Sequence, residues 1–240
     1  MLLENKTAIV YGGAGSIGAA VARAFAREGA SVYLAARALT PLQRIAEEIV
    51  AVGGAANAAQ VDALDRDSVE RHASGVVDDA GGIDISFNAT SNGDVQGTEL
   101  VDLPFEDFAR PVITAATTNF FIATAVARHM TARGSGVILA MGGGREAFPT
   151  LGGSSVAWAT IAALGRQLAC ELGPHGVRVA WLLSCGSPEG GGADEQAAGT
   201  MLERRPSLED VADAAVLVAS DRARTITASE INITCGAAIQ

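Results

Sequence analysis

A glycine-rich turn between residues 11 and 18 is the clearest chemical motif in the sequence. It joins an apolar, strand-like run to an amphipathic helix. Glycines in such a turn let backbone N–H groups approach a phosphate closely, and the helix N-terminus adds a partial positive charge. The spacing Gly13-x-Gly15-x-x-Gly18 is that of a dinucleotide fingerprint in its strand–turn–helix context, although a turn without a ligand is the alternative. We therefore predict a pyrophosphate site at Gly12, Gly13, Gly15, Ser16, Ile17 and Gly18.

The end of the second strand-like run indicates which dinucleotide the turn would take. An acid about twenty residues after the glycines would bond the ribose 2′-hydroxyl of NAD. The run ends instead with Leu34-Ala35-Ala36-Arg37 and has no acid. A guanidinium is suited to bidentate contact with a 2′-phosphate. Arg37 therefore predicts NADP(H) if a dinucleotide binds; a solvated loop arginine is the competing interpretation.

Apolar runs and amphipathic helices alternate along the whole chain, and this alternation must position the turn. Alternation of this kind predicts βαβ units with right-handed crossovers, and the apolar character of the runs indicates a parallel sheet covered on both faces. We predict one α/β domain over residues 1–240, a Rossmann-type doubly wound parallel sheet with helices on both faces. The predicted strands are Thr7–Tyr11, Ser31–Ala36, Ala58–Val61, Ile83–Asn88, Val137–Met141, Val177–Leu183 and Ile231–Thr234.

Several motifs together resemble the short-chain dehydrogenase/reductase family, and the resemblance runs over essentially the whole chain. Gly12-x-x-x-Ser16-x-Gly18 is similar to the family's glycine motif, with serine at the middle glycine. Asp84–Ala89 resembles the fourth strand leading into Asn-Asn-Ala-Gly, and Ala169–Val179 resembles the segment after the catalytic helix. Val61-Asp62 resembles the acidic site beside the adenine ring, and the stretch from Asp210 to Gly236 matches as well. The resemblance implies further cofactor contacts at Asp62, Ala63, Asn88 and Ala89.

The same resemblance shows that the family's catalytic residues are missing. Members use Tyr-x-x-x-Lys, a serine after the fifth strand and usually an asparagine, because the reaction needs a hydroxyl whose pKa a nearby cation lowers. No Tyr-x-x-x-Lys exists here in any register, since the only lysine is Lys6 and the only tyrosines are Tyr11 and Tyr33. Family spacing puts Ala115, Gly143, Ser154 and Trp158 at the asparagine, serine, tyrosine and lysine positions.

These replacements predict no catalytic residue of the standard kind and an altered nicotinamide half of the site. An indole at 158 removes the cation that would hold the ribose and fills its volume, whereas the adenine half looks intact. Asn119 lies one helical turn from the asparagine position. Arg145 and Glu146 follow the fifth strand and are the charged candidates at the site, with a surface ion pair as the alternative. No metal site is expected.

Three functions are compatible with this pattern. The first is a catalytically silent or nearly silent NADP(H)-binding protein that acts as a sensor, a scaffold or the inactive partner of an active relative. The second is an NADP(H)-dependent oxidoreductase with an atypical proton donor such as Glu146. The third is a non-redox isomerase or cyclase. The low-complexity segment Ser187–Gly199, after the sixth strand, is either a lid over the ligand edge of the sheet or a solvated loop.

The composition of the chain limits the kinds of partner that it can bind. A formal charge of −10 argues against binding to nucleic acid, which requires clustered basic residues. No apolar run is long enough to span a bilayer and no secretory signal is recognisable, so we expect a cytoplasmic protein with three buried thiols. The Ala-rich stretches Thr114–Met130 and Ser154–Leu172 are apolar on more than one face, which predicts a homodimer or homotetramer that binds an unidentified small molecule.

Overall fold

A computed structural model describes residues 1–144, 149–186 and 200–237, and within them seven parallel strands form one sheet. The strand order is β3-β2-β1-β4-β5-β6-β7, so the chain runs outward in one direction, returns to the centre and continues in the other. This reversal lies between β1 and β4, where a doubly wound sheet opens a crevice for ligands. The strands are β1 Thr7–Tyr11, β2 Ser31–Ala36, β3 Ala55–Gln60, β4 Ile85–Asn88, β5 Gly136–Gly142, β6 Val177–Leu183 and β7 Ser229–Asn232.

Helices cover both faces of the sheet and enclose two apolar cores. On one face α1, α2 and α6 pack against residues such as Val10 and Phe87. On the other face α3, α4 and α5 pack against residues such as Ile9 and Ile138. The helices are α1 Ser16–Arg27, α2 Leu39–Ala51, α3 Arg66–Ala80, α4 Phe105–Arg133, α5 Ser154–Leu172 and α6 Leu208–Ala219.

Local signals explain where several helices begin and end. α1 stops before Gly29, whose φ of 93° is left-handed and therefore suits glycine. α6 begins with a capping box, in which the Ser207 hydroxyl accepts from the Asp210 N–H and the Asp210 carboxylate accepts from the Ser207 N–H. α2 begins at Leu39, and Pro41 lies in its first turn, where a proline's missing N–H breaks no helical hydrogen bond.

Two sequence expectations need correction. α4 is longer than the predicted Thr114–Met130, because its first turns extend back to Phe105. The cysteines are not buried, since Cys170 is exposed and the other two are only partly covered. Among the described residues no helix is long and apolar enough to cross a membrane. The segment Ser187–Gly199 lies outside the described residues.

Candidate functional site

The glycine turn packs so tightly that two of its glycines cannot carry a side chain. Gly12 has φ of 77°, and a Cβ there would lie 2.4 Å from the carbonyl oxygen of Ala89. A Cβ on Gly18 would lie 2.3 Å from the carbonyl oxygen of Gly12. The turn is therefore pressed against the end of β4 on one side and against the first turn of α1 on the other. Because no side chain covers these positions, the backbone of the turn can approach a ligand closely.

The first turn of α1 presents backbone donors at the crevice. The N-cap residue is Gly15, and the first amide with an intrahelical partner is that of Ala19, which donates to the Gly15 carbonyl at 2.8 Å. In the described part of the chain, the N–H groups of Ser16, Ile17 and Gly18 make no hydrogen bond. Such amides at a helix N-terminus attract an anion. The first turn contains no acidic side chain that would compete.

The predicted adenine-side residues lie at the ends of the next two strands. Arg37 directly follows β2 and is exposed, and within the described ranges its guanidinium has no hydrogen-bond or ion-pair partner. Asp62 follows β3, and its carboxylate accepts from the N–H of Leu64 at 3.0 Å. This hydrogen bond shapes the turn that leads towards α3. Asp62 itself is exposed. Ala63 is half-buried beside it.

The asparagine that ends β4 belongs to a buried polar network. The Asn88 amide donates to the side-chain oxygen of Asn119 at 2.9 Å, and Asn119 donates to the carbonyl of Ala115 at 2.9 Å. Asn88 also accepts from the backbone and hydroxyl of Thr90, which fixes the turn towards Ala89. Buried amides are stable only when bonded in this way. The network ties β4 to α4, and sequence spacing alone had indicated only that Asn119 was near the site.

Trp158, which stands at the family's lysine position, fills the space of a side chain at the family's serine position, Gly143. A Cβ on Gly143 would lie 2.1 Å from the indole ring of Trp158. The indole of α5 therefore lies directly against the backbone at the end of β5. No side chain at 143 can share that space while the indole remains there. The two replacements recognised in the sequence thus form one packed unit.

The tyrosine position is equally unsuited to proton transfer. Ser154 is fully buried at the start of α5, and its hydroxyl oxygen accepts from the Gln96 amide at 3.1 Å. The asparagine position, Ala115, is buried among apolar residues of α4 and α5. Gln96 was missed by sequence analysis, since it lies in a long connection without a recognisable motif. Arg145 and Glu146, the charged candidates, lie outside the described residues.

A buried tyrosine lies next to the glycine turn, but it is not a substitute acid. The Tyr11 hydroxyl lies 3.3 Å from His72 Nδ1, and burial raises the pKa of the Tyr11 phenol far above its usual range. Burial also lowers the pKa of His72 to about 4, so the imidazole is neutral at physiological pH. His72 is therefore not the surface residue that its helical position suggests. Burial disfavours the charged form of both groups, so neither pKa is placed for proton transfer near neutrality.

The residues present fit one half of a nicotinamide dinucleotide better than the other. Unbonded amides and glycines without room for a Cβ suit a pyrophosphate, and Arg37 suits a phosphate on the adenosine ribose. On the opposite side, Gly143, Ser154 and Trp158 supply neither a cation nor an ionisable hydroxyl. No cluster of three or more metal-binding side chains exists in the described ranges.

Comparison with known proteins agrees with this architecture. The family model described as "Enoyl-(Acyl carrier protein) reductase" matches residues 12–238. The L-rhamnose 1-dehydrogenase (NAD(P)(+)) of Azotobacter vinelandii is 31% identical, covering 98% of this chain and 98% of its own. The secoisolariciresinol dehydrogenase of Forsythia intermedia is 29% identical, covering 98% of this chain and 89% of its own.

Solved structures give the same result. A short-chain type dehydrogenase/reductase from Mycobacterium marinum superposes with a TM-score of 0.89 at 28% identity, covering 99% of this chain and 97% of its own. A dehydrogenase/reductase from Sinorhizobium meliloti 1021 superposes with a TM-score of 0.87 at 28% identity, covering 99% of this chain and 96% of its own. The chain belongs to the short-chain dehydrogenase/reductase family of oxidoreductases.

Proposed function

We propose that this chain is an NADP(H)-binding member of the family that does not reduce carbonyl compounds by the family's tyrosine–lysine mechanism. The observation that carries the proposal is the contact between Trp158 and Gly143, where an indole occupies the space of the substrate-orienting serine. The glycine turn and the unbonded amides of α1 support nucleotide binding. The protein would therefore respond to NADP(H) without consuming it, as a sensor, a scaffold or the inactive partner of an active relative.

The size of the catalytic defect follows from the missing groups. Loss of a positioned acid/base costs about 10²–10⁴ in rate, and here the orienting hydroxyl and the cation are absent as well. Ser154 cannot compensate, because an alkyl hydroxyl is a far weaker acid than a phenol and its partner Gln96 is not a base. Holding a cofactor against a substrate contributes some acceleration by proximity alone. Efficient turnover is not expected.

The test is an equilibrium titration followed by an assay on the same preparation. NADPH and NADH are titrated into the purified protein while nicotinamide fluorescence is followed, and we expect saturable binding that is tighter for NADPH. Absorbance of the nicotinamide is then monitored with a panel of aldehydes, ketones and sugars, with an active sorbitol dehydrogenase as the positive control. We expect no turnover above background.

Two results would overturn parts of the proposal separately. Absence of saturable binding of either nucleotide would reject NADP(H) as the ligand. Reduction at a rate comparable to the positive control would reject catalytic silence. If that activity were lost in Glu146→Gln, the oxidoreductase hypothesis with an atypical proton donor would replace ours.

A further inference from the structure

Two of the three cysteines lie just beyond the ends of the neighbouring strands β6 and β7, at the edge of the sheet that also carries Gly143. β6 and β7 pair in parallel with Leu183 opposite Asn232, and the N–H of Ile233 donates to the Leu183 carbonyl at 2.9 Å. Continuing this register places Cys185 opposite Thr234, one residue before Cys235. The Cys185 thiol in fact donates to the carbonyl of Thr234 at 3.6 Å. The strand register therefore brings together two thiols that are about fifty residues apart in sequence.

Their separation suits a disulfide. In a trans peptide the carbonyl oxygen lies about 2.8 Å from the next Cα, so the Cys185 sulfur lies within about 6.4 Å of the Cys235 Cα. A disulfide spans Cα atoms about 4.4–6.8 Å apart. The Cys185 sulfur is therefore already close to the Cys235 backbone, and the crosslink requires rotation of both side chains beyond the ends of β6 and β7.

The backbone at Cys235 is unusual for a cysteine. Its φ is 56°, a left-handed conformation that favours glycine, and it is held there by the Leu202 N–H, which donates to the Cys235 carbonyl at 3.0 Å. The adjacent Gly236 accepts from Met201 in the same way. A residue with a Cβ is costly in this conformation, and such positions concentrate at functional sites.

The surroundings make the two thiols unequal. The pKa of the Arg204 guanidinium is raised mainly by its hydrogen bond to Asp210, and the Cys235 sulfur adds a smaller Coulombic contribution. Arg204 is thus within electrostatic range of Cys235. Cys185 instead donates its proton to a carbonyl. Both cysteines are partly exposed, so a small oxidant can reach them.

We propose that Cys185 and Cys235 form a reversible disulfide when the protein meets a hydroperoxide. The Cys235 thiolate attacks the peroxide, the O–O bond breaks, and a sulfenic acid forms at Cys235 as an alcohol or water leaves. Cys185 then loses its proton, its sulfur attacks the Cys235 sulfur, and hydroxide leaves as water. Two thiols and one hydroperoxide give one disulfide, one alcohol or water and one further water, with two electrons passing from sulfur to oxygen.

The experiment uses the full-length protein treated with hydrogen peroxide under native conditions. Thiols are counted with a chromogenic reagent in denaturant, and intact mass and a non-reducing peptide map are recorded. We expect the three thiols to fall to one, a mass lower by two hydrogens, and a peptide pair joining Cys185 to Cys235. A dithiol reductant should restore all three thiols. The peptide map on the unmutated protein does not depend on any variant folding.

Three single variants provide the controls. Cys185→Ser and Cys235→Ser should each abolish the crosslink, whereas Cys170→Ser, on the exposed face of α5, should leave it unchanged. Circular dichroism checks folding, and Cys→Ala replaces any serine variant that unfolds. Peroxide that leaves all three thiols intact would overturn the proposal. So would oxidation confined to Cys170 with intermolecular crosslinks, or sulfinic acid at Cys235 without the linked peptide pair.

Discussion

At the scale of residues, Gly143 and Trp158 depend on each other, because they share one volume at the end of β5. A side chain at 143 requires the indole to leave, and an indole at 158 requires glycine at 143. Restoring one catalytic residue alone would therefore damage the packing before it could help the chemistry. This coupling supports the proposal that both catalytic positions are lost together in a protein that keeps the fold.

The coupling predicts the outcome of a double-mutant cycle. Gly143→Ala should lower the free energy of unfolding by about 1–3 kcal/mol, because its Cβ would lie 2.1 Å from the indole. In a Trp158→Ala background the same change should cost nearly nothing, since the space is then free. Urea denaturation of the four proteins measures both values. The control is Gly75→Ala in α3, where nothing lies within 4 Å of the added Cβ; equal costs for Gly143→Ala in both backgrounds would contradict the coupling.

Arg37 carries the second prediction at this scale. Arg37→Ala should weaken the binding of NADPH about 10–100-fold, since one charge-assisted contact contributes about 1.5–3 kcal/mol. NADH lacks the 2′-phosphate and should bind almost as before. Fluorescence titration of each nucleotide measures the ratio. Arg224→Ala, an exposed arginine before β7, is the matched control for general charge. Equal losses for both nucleotides would remove Arg37 from the 2′-phosphate site.

At the scale of elements, the sequence was informative where apolar runs are strong. β1, β2 and β6 have the predicted bounds, because their residues are apolar, often β-branched, and buried. β3 was placed three residues late, since Ala55–Gln60 is rich in alanine and lies at the edge of the sheet. Edge strands are only partly buried, so their sequences show less of the pattern that marks a strand.

The site was less predictable than the fold, because its contacts join residues that are distant in sequence. The motif positions Gly143, Ser154 and Trp158 followed from the family spacing, but the collision between 143 and 158 depends on how α5 packs against β5. The Gln96–Ser154 and Asn88–Asn119 bonds depend on where α4 and its preceding connection lie. No local periodicity encodes such pairs.

The packing of α3 on β1 predicts a pH dependence through His72. Its pKa is lowered to about 4 by burial, so the unfolded state binds a proton more readily than the folded state. The stabilisation that this neutral imidazole permits is complete above its unfolded pKa of about 6.5 and is lost as pH falls towards about 4. We expect a loss of about 2–3 kcal/mol over that window.

Urea denaturation of the wild type and of His72→Gln between pH 7 and pH 4 tests this expectation. Glutamine keeps a polar partner for Tyr11 but does not titrate, so the variant should lose less stability on acidification. His175→Gln is the control, because His175 is exposed before β6. The lowered pKa of Asp210, about 2, acts at lower pH and does not interfere. Parallel curves for wild type and His72→Gln would show that the imidazole does not titrate as described.

At the scale of the whole molecule, the adjoining helices α4 and α5 carry some of the exposed apolar residues. Ile113 and Phe120 lie seven residues apart on one face of α4 and are 62% and 49% exposed, and Val156 on α5 is 42% exposed. A net charge of −10 favours solubility, yet exposed apolar residues on two adjoining helices are costly to leave in water. Burying this face against a second copy by two-fold symmetry would remove both helices' apolar residues from solvent.

Phe120→Glu should therefore convert a homodimer or homotetramer into a smaller species. The introduced carboxylates would face each other across a two-fold interface, where unpaired buried charges cost several kcal/mol. Light scattering at micromolar concentration gives the mass of each species. The control for added charge is Val50→Glu on α2, which lies on the opposite face of the sheet; Val50 is apolar and 55% exposed. A monomeric wild type would reject self-association, and an unchanged oligomer in Phe120→Glu would place the interface elsewhere.

Because Phe120 follows Asn119 directly, loss of the partner copy should loosen the hydrogen bond between Asn88 and Asn119. Nucleotide titration of the variant would reveal whether assembly and the crevice are linked.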